Sequence, residues 1–304
     1  MGIQAPEFIA RGTPLKSLAG RWENPVLVIS NPHGLHASTI VEAAQAGFKN
    51  LVCEKPVCVN QEELNLLRPL ASSINLATLH GYRQMWGPQK IKKMLSDDVL
   101  GTIISIEGRY WQASAAERAL QASQGEPPKK TWKNDLILSG GSDTFLDLST
   151  HWVDLCCYFF GEVPLSIIGW KSFLNADAPY RDTHIELMMK FAHGRALGSV
   201  SKTVHGATNH LEVNVIGTKK SVTWSFLSPD EIIIGEGRDL RVETRKENNQ
   251  GSSQAPFHGT GWLEGYIEIL KNFLENVHFG QPVHYPTLQE SLNMMDSLFA
   301  TDWH

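Results

Sequence analysis

The chain has 304 residues, 42% hydrophobic and 19% charged, enough for one large or two ordinary domains with a sizeable core. Its formal net charge of −5 and pI near 6.2 exclude a general electrostatic attraction to nucleic acid or to an anionic membrane. The longest apolar runs are strand-sized, short of the ~20 residues that a membrane span needs, and the opening residues, with Pro6, Glu7, Arg11 and Pro14, are expected to carry no signal peptide.

In chain order, Val26–Ser30 (VLVIS) is a continuous β-prone run that stops at Asn31-Pro32, the pattern of a buried parallel strand. A helix is predicted from about His36 to Ala46, stopped by Gly47. Asn50–Cys53 reads as a second buried strand, ending at Glu54-Lys55-Pro56. Asn60 then caps a further helix, with Glu62 and Glu63 in its first turn, that runs to about Ser73. Asn75–Leu79 is the third strand. Strands and helices alternating over short loops predict right-handed βαβ units and a parallel sheet.

The pattern then changes. A helix near Gln89–Ser96 precedes a strand over Ile103–Trp111, and Gly141–Phe160 contains a strong helix ended by Gly161. From Leu165 to about Glu243 strands follow one another, clearest at Ile185–Phe191, Ala196–Val204, Leu211–Ile216, Ser221–Phe226 and Ile232–Ile234. His193-Gly194, Gly217-Thr218 and Gly235-Glu236-Gly237 supply turns. Lys129-Lys130 and Lys246–Gln254 read as loops, and helices at roughly Trp262–Val277 and Leu288–Ala300 close the chain. The expected fold class is α/β: a smaller parallel part followed by an α+β part with a large, mostly antiparallel sheet and helices on one face.

Cys53, Cys58, Cys156 and Cys157 have no CxxC spacing, so a reduced, cytoplasmic setting is expected. His33 with His36, and His205 with His210, lack the Cys or carboxylate company of a zinc site, so no metal is expected.

Three patterns carry chemistry. Lys55, between Glu54 and Pro56, lies at the C-terminal end of a parallel strand, the edge where open α/β sheets bind ligands; a surface lysine before a loop proline is the plainer alternative. Asp147 and His151 are four apart on a predicted helix and so share a face, which Asp154 continues. A carboxylate beside an imidazole suits acid–base work, although an acid-rich helix N-terminus reads the same way. Asn31–His36 leads from a strand into a helix, a place where backbone N–H groups can meet anions, or simply a βα turn.

Together these stretches resemble the Gfo/Idh/MocA family of NAD(P)-dependent oxidoreductases. Val26–Pro56 (VLVISNPHGLHASTIVEAAQAGFKNLVCEKP) looks like the second half of that family's nucleotide domain, and Gly140–Gly161 (GGSDTFLDLSTHWVDLCCYFFG) like its glycine run followed by DxGxH and HxxD. The stretch from His80 to Trp111 is similar to its passage into the substrate domain. The resemblance implies a Rossmann-type sheet over 1–82, partial because the N-terminal GxGxxG unit is missing, and a substrate-binding and oligomerisation domain over 83–304. It implies Lys55, Asp147 and His151 as the catalytic set, with His151 as general acid/base, Asp147 orienting its ring and Lys55 stabilising the developing alkoxide. Ser30, Asn31, Pro32, His36, Glu54 and Lys55 would contact NAD or NADP, and Lys55, His151 and Asp154 a sugar or polyol. A homodimer or homotetramer through the antiparallel sheet follows from the same resemblance.

The departures matter too. Ser149 replaces the usual glycine of DxGxH, Ser142-Asp143 interrupts the glycine run, and Met85 stands where an arginine is common. Gly259-Thr260-Gly261 precedes a helix without a strand before it and is not the fingerprint. Without the pyrophosphate turn, a non-catalytic binding or regulatory protein on the same scaffold is the alternative function. A lyase or epimerase that retains its cofactor shares the acid–base residues, and an exposed sheet edge predicts low solubility.

Overall fold

Three short apolar runs pair in parallel in the order β1 (Val26–Ile29), β2 (Asn50–Cys53), β3 (Asn75–Thr78). They are linked by helices α1 (His36–Gln45) and α2 (Gln61–Leu67). The computed structural model describes residues 7–10, 12–125, 127, 131–175, 181–245 and 261–304, the side chains of 261 and 262 excepted. The loops expected at Lys129-Lys130 and Lys246–Gln254 lie outside the described residues. The predicted cap of α2 is in place: Asn60 accepts from the Glu63 N–H at 2.9 Å, and the Glu63 carboxylate returns to the Val59 N–H at 2.9 Å. The helix ends at Leu67, earlier than expected, because Pro69 lacks an N–H and its ring crowds the preceding turn.

Helix α3 (Trp86–Ser96) starts one turn earlier than predicted and leads into β4 (Ile103–Trp111). Two short helices follow, α4 (Ser114–Ser123), which was not anticipated, and α5 (Leu136–Ser139). A π-type turn at Phe145–Ser149 opens into α6 (Thr150–Phe160), closed by Gly161 with φ 75°. Strands β5 (Ser166–Phe173), β6 (Asp182–Phe191), β7 (Gly194–Ser201), β8 (His210–Gly217), β9 (Ser221–Ser225), β10 (Glu231–Glu236) and β11 (Asp239–Thr244) come next. Helices α7 (Gly261–Phe279) and α8 (Leu288–Phe299) and the short β12 (Asp302–Trp303) end the chain.

The second sheet runs β11-β10-β9-β8-β4-β7-β6-β5-β12 and is antiparallel except where β4 meets β7 and β5 meets β12. The fold is therefore α/β, a small parallel sheet followed by a large mixed one. Period-2 alternation turns Ile185, Leu187, Met189, Val213, Val215, Val222 and Trp224 into the core, while Met188, Leu197, Trp170 and Ile233 are exposed.

Helix α6 rests on β4 and β7 through a glycine pair. Gly108 and Gly198 are register partners, and the indole of wholly buried Trp152 fills the space above them. A Cβ on Gly198 would lie 1.9 Å from Trp152 Nε1, and one on Gly108 2.7 Å from its ring. The missing side chains let the helix approach the sheet, and His151, the neighbour of Trp152, is placed by that contact. The closing helices return to the small sheet. Ile269 and Phe273 of α7 pack with Val52, Ala77, Leu79 and Tyr285, and Ser291 of α8 bonds Thr78 at 2.9 Å. Among the described residues no helix is long and apolar enough to cross a membrane.

Candidate active site

The C-terminal ends of β1 and β2 face the start of α6. Lys55, directly after β2 and before a cis proline, sends its ammonium across to Asp147, reaching Oδ1 at 3.0 Å and the Asp147 carbonyl. Asp147 is gripped further: Oδ2 accepts from Lys133 at 2.7 Å and from Lys202 at 2.8 Å. Burial alone would raise the Asp147 pKa, but Lys202, Lys55 and Lys133 hold it well below the usual carboxylate range.

The structure corrects the expected pairing of Asp147 with the His151 ring. No hydrogen bond joins them among the described contacts. Four-residue spacing faces two side chains together on a regular α-helix, whereas residues 145–149 form the wider π-type turn. Asp147 positions Lys55 instead. His151 is 8% exposed and packs edge-on against Tyr82 and Tyr110, at ring distances of 4.9 and 5.8 Å. Its Nδ1 is buried with no partner. Burial, followed by the charge of Lys55 and the neighbouring His80, pushes its pKa well below 6.5 against the pull of Asp147, so the ring is neutral.

Asp154 does not join this group. One turn further along α6 it is buried against Arg83 Nη2 at 2.8 Å, and Arg83 continues to Glu290 at 3.3 Å. Its burial raises the pKa to about 6 despite the guanidinium. The arrangement is that of a buried structural ion pair.

The predicted cofactor residues gather at the ends of β1 and β2. Asn31 donates to Thr39 at 2.9 Å, and its Oδ1 is a buried acceptor without a partner. Ser30 is exposed, Pro32 is half-buried, and Glu54 is half-buried beside Tyr266 of α7, its pKa raised chiefly by desolvation. His36 is a correction: it is 1% exposed, with Nδ1 2.7 Å from the Pro56 carbonyl and Nε2 2.8 Å from the Asn31 carbonyl. Burial lowers its pKa, and the neutral ring donates to one of these carbonyls while packing against the other, so it sits at the join of the loop after β1 and the loop after β2. Gly34 brings α5 over the same loop, since a Cβ there would lie 2.0 Å from the Ile137 carbonyl oxygen, and His33 Nε2 donates to the Ser139 carbonyl at 2.7 Å.

Sequence reasoning missed Lys202, Lys133, Arg118 and Arg181. Lys202, 1% exposed just after β7, also pairs with Asp143, and Asp143 takes Arg118 at 2.9 Å and Arg181 at 3.3 Å. The Asp143 that interrupts the glycine run is thus the second anchor of the cluster. Asp182 completes it, accepting from the backbone N–H groups of Asp143 at 2.9 Å and Phe145 at 2.6 Å and from Ser142.

The cluster sets a pH dependence. Asp143 and Asp147 have folded pKa values below their ordinary one, so their stabilisation is complete above the unfolded value of about 3.9 and is lost as pH falls through the folded values. Thermal unfolding should move down steeply below about pH 4. Asp147→Asn should flatten that acid limb; a variant with an unchanged acid limb would show that the cluster does not set it.

Residues 89–223 match the GFO/IDH/MocA C-terminal domain. The chain is 26% identical to a levoglucosan dehydrogenase of Pseudarthrobacter phenanthrenivorans over 239 residues, 70% of this chain and 58% of that one. It is 30% identical to Oxidoreductase P35 of Formosa agariphila over 137 residues, 44% of this chain and 40% of that one. The chain thus spans less than two thirds of the length of either relative. Its fold is similar to that of an inositol dehydrogenase homolog complexed with NAD+ from Azotobacter vinelandii, with a TM-score of 0.78 at 19% identity over 91% of this chain and 75% of that one.

Proposed function

On the match of residues 89–223 to the GFO/IDH/MocA C-terminal domain, we propose that the chain is a Gfo/Idh/MocA-type oxidoreductase acting on a sugar, polyol or similar hydroxyl/carbonyl compound with NAD or NADP. The observation that carries the reading is the meeting of Lys55, from the small sheet, with Asp147 and the neutral His151 from the helix on the large sheet. The proposed division, 1–82 for the nucleotide and 83–304 for the substrate, puts the site at their junction. The relatives support the reading: one is a levoglucosan dehydrogenase, and the Azotobacter structure is complexed with NAD+.

In the oxidative direction His151 accepts the proton of the substrate hydroxyl, a role suited to a ring kept neutral by burial and by Lys55. Lys55 donates a hydrogen bond to the same oxygen and stabilises the charge that develops on it. Asp147 fixes the Lys55 ammonium in place. A bound nicotinamide would supply the two-electron acceptor. The loop ends fit such a group, because the unpartnered Asn31 Oδ1 is a buried acceptor awaiting a donor. Ser30, Asn31, Pro32 and Glu54 would hold it, with His36 keeping their loops together.

Titrating the 304-residue chain with NADH and NADPH and following nicotinamide fluorescence tests the reading. Micromolar binding is expected. No binding at millimolar cofactor would sink it and leave binding without redox chemistry as the function.

The outer face of the large sheet, with Met188 and Leu197 side by side and Trp170 and Ile233 exposed, suits a second copy of the chain. Sedimentation at micromolar concentration should give a homodimer or homotetramer, and a monomer would contradict this assignment.

A further inference from the structure

The His151 ring lacks the carboxylate that usually aims a catalytic imidazole, because Asp147 is taken up by Lys55, Lys133 and Lys202. Aim matters chemically. In a neutral ring one nitrogen carries the hydrogen and the other is the base, and the bond made by the first decides which is which. His80 stands beside this ring. Two residues beyond β3 it is 1% exposed, and its ring meets that of His151 edge-on, with 6.1 Å between centroids and 87° between planes. Its Nδ1 lies 3.9 Å from Asp154 Oδ1. His151 and Asp154 are three apart within the regular part of α6, so they share a face, and His80 meets both.

Three imidazole nitrogens at this contact, both of His80 and Nδ1 of His151, are buried and have no partner among the described residues. Buried polar atoms are nearly always satisfied by protein or by ordered water, and the spacing of the two rings leaves room for one bridging water. Burial, followed by the charges of Arg83 and Lys55, holds the His80 pKa well below 6.5, so this ring is neutral as well and offers one donor and one acceptor. Asp154 decides which is which. At 3.9 Å its carboxylate makes an electrostatic contact and not a hydrogen bond, but a negative charge there favours the hydrogen on the near nitrogen, Nδ1. His80 Nε2 is then the acceptor. It calls for a donor, and Nδ1 of His151 is the buried nitrogen left to supply one.

Building on the oxidoreductase reading, we propose that His80, backed by Asp154, is the positioning residue of the base: it holds the hydrogen of His151 on Nδ1 and leaves Nε2 to accept the proton of the substrate hydroxyl. The orienting carboxylate is therefore one turn after the base on α6, acting through a second ring, and not one turn before it. A ring held the other way would present an N–H to the substrate oxygen and could not take its proton. Arg83 fixes the Asp154 carboxylate at 2.8 Å, so the direction is built into the fold.

Two-bond proton–nitrogen correlation spectra of the full chain, isotope-labelled at histidine and free of cofactor and substrate, read the tautomer of each ring. The signals of His80 and His151 are assigned by their loss in His80→Phe and His151→Gln. At neutral pH both rings should appear as the Nδ1–H tautomer. In His80→Phe, whose ring fills much the same space without a nitrogen, the two nitrogen shifts of His151 should move toward each other as the ring populates both tautomers. Near-UV circular dichroism checks the fold of that variant, and the parent spectrum decides by itself if the variant does not fold. A parent His151 with its hydrogen on Nε2, with hydrogens on both nitrogens, or exchanging between the two forms overturns the proposal. So does a folded His80→Phe variant in which His151 keeps the parent tautomer, the result expected of a His80 that only packs. The NADH titration is read separately: NADH binding with an undirected His151 removes the positioning role and keeps the oxidoreductase, and a directed His151 without NADH binding does the reverse.

Discussion

His151→Gln is expected to lower turnover by about 100- to 10,000-fold, the usual contribution of a positioned acid–base group, with little change in melting temperature. Gln keeps much of the volume of the ring between Tyr82 and Tyr110, so the loss would be chemical and not a packing defect. Binding of NADH should be unaltered. A variant that turns over within about threefold of the parent would remove His151 from the chemistry. Lys55→Met gives a complementary readout. The ammonium lowers the proton affinity of His151, so its removal raises the ring's pKa. The oxidation rate needs the neutral ring, and its acid limb should therefore move to higher pH as the maximal rate falls. An unshifted limb would mean that the titrating group is not His151.

Gly198→Val should be the most damaging single change in the large sheet. Its Cβ would sit 1.9 Å from Trp152 Nε1, and neither side can give way easily. Gly198 is held by β4 and β6 on its two flanks, and Trp152 is wholly buried. The added bulk should cost about 3 kcal/mol, the upper end of ordinary overpacking, and lower the melting temperature by roughly 5–10 °C. Gly198→Ala combined with Trp152→Leu should be less destabilised than the sum of the two single variants, because one relieves the other. Additive effects in that cycle would show that the glycine pair and the indole do not share the space.

Much of the fold was legible because its signals are local. The run VLVIS, the stop at Asn31-Pro32 and the cap at Asn60 each act within a few residues, and β1, β2, β3 and β4 lie where they were expected. Lys55 and His151 were legible from their motifs and from their places at element ends. The cation cluster was not. Lys202 is 55 residues from Asp147, and Arg118 is 25 from Asp143, separations at which no periodicity operates. Lys202 gave a weak signal, a lone lysine at the end of an apolar strand that reads equally well as a solvated tip. The role of Asp147 was misread for a different reason. Helical spacing was applied across residues whose backbone opens into a wider turn, and sequence pattern does not report that change of pitch.

Lys55 and Asp147 link the loop after β2 to the turn before α6 at the candidate site. Lys55 moves with the loop after β2, whereas Asp147 and His151 move with the helix seated on the large sheet. Any separation of the two bodies withdraws the ammonium from the imidazole, and the ring's appetite for a proton rises as the gap widens. Mechanical opening is thereby transcribed into basicity: a closed site holds a ring poised to let its proton go, and an open one holds a ring that keeps it.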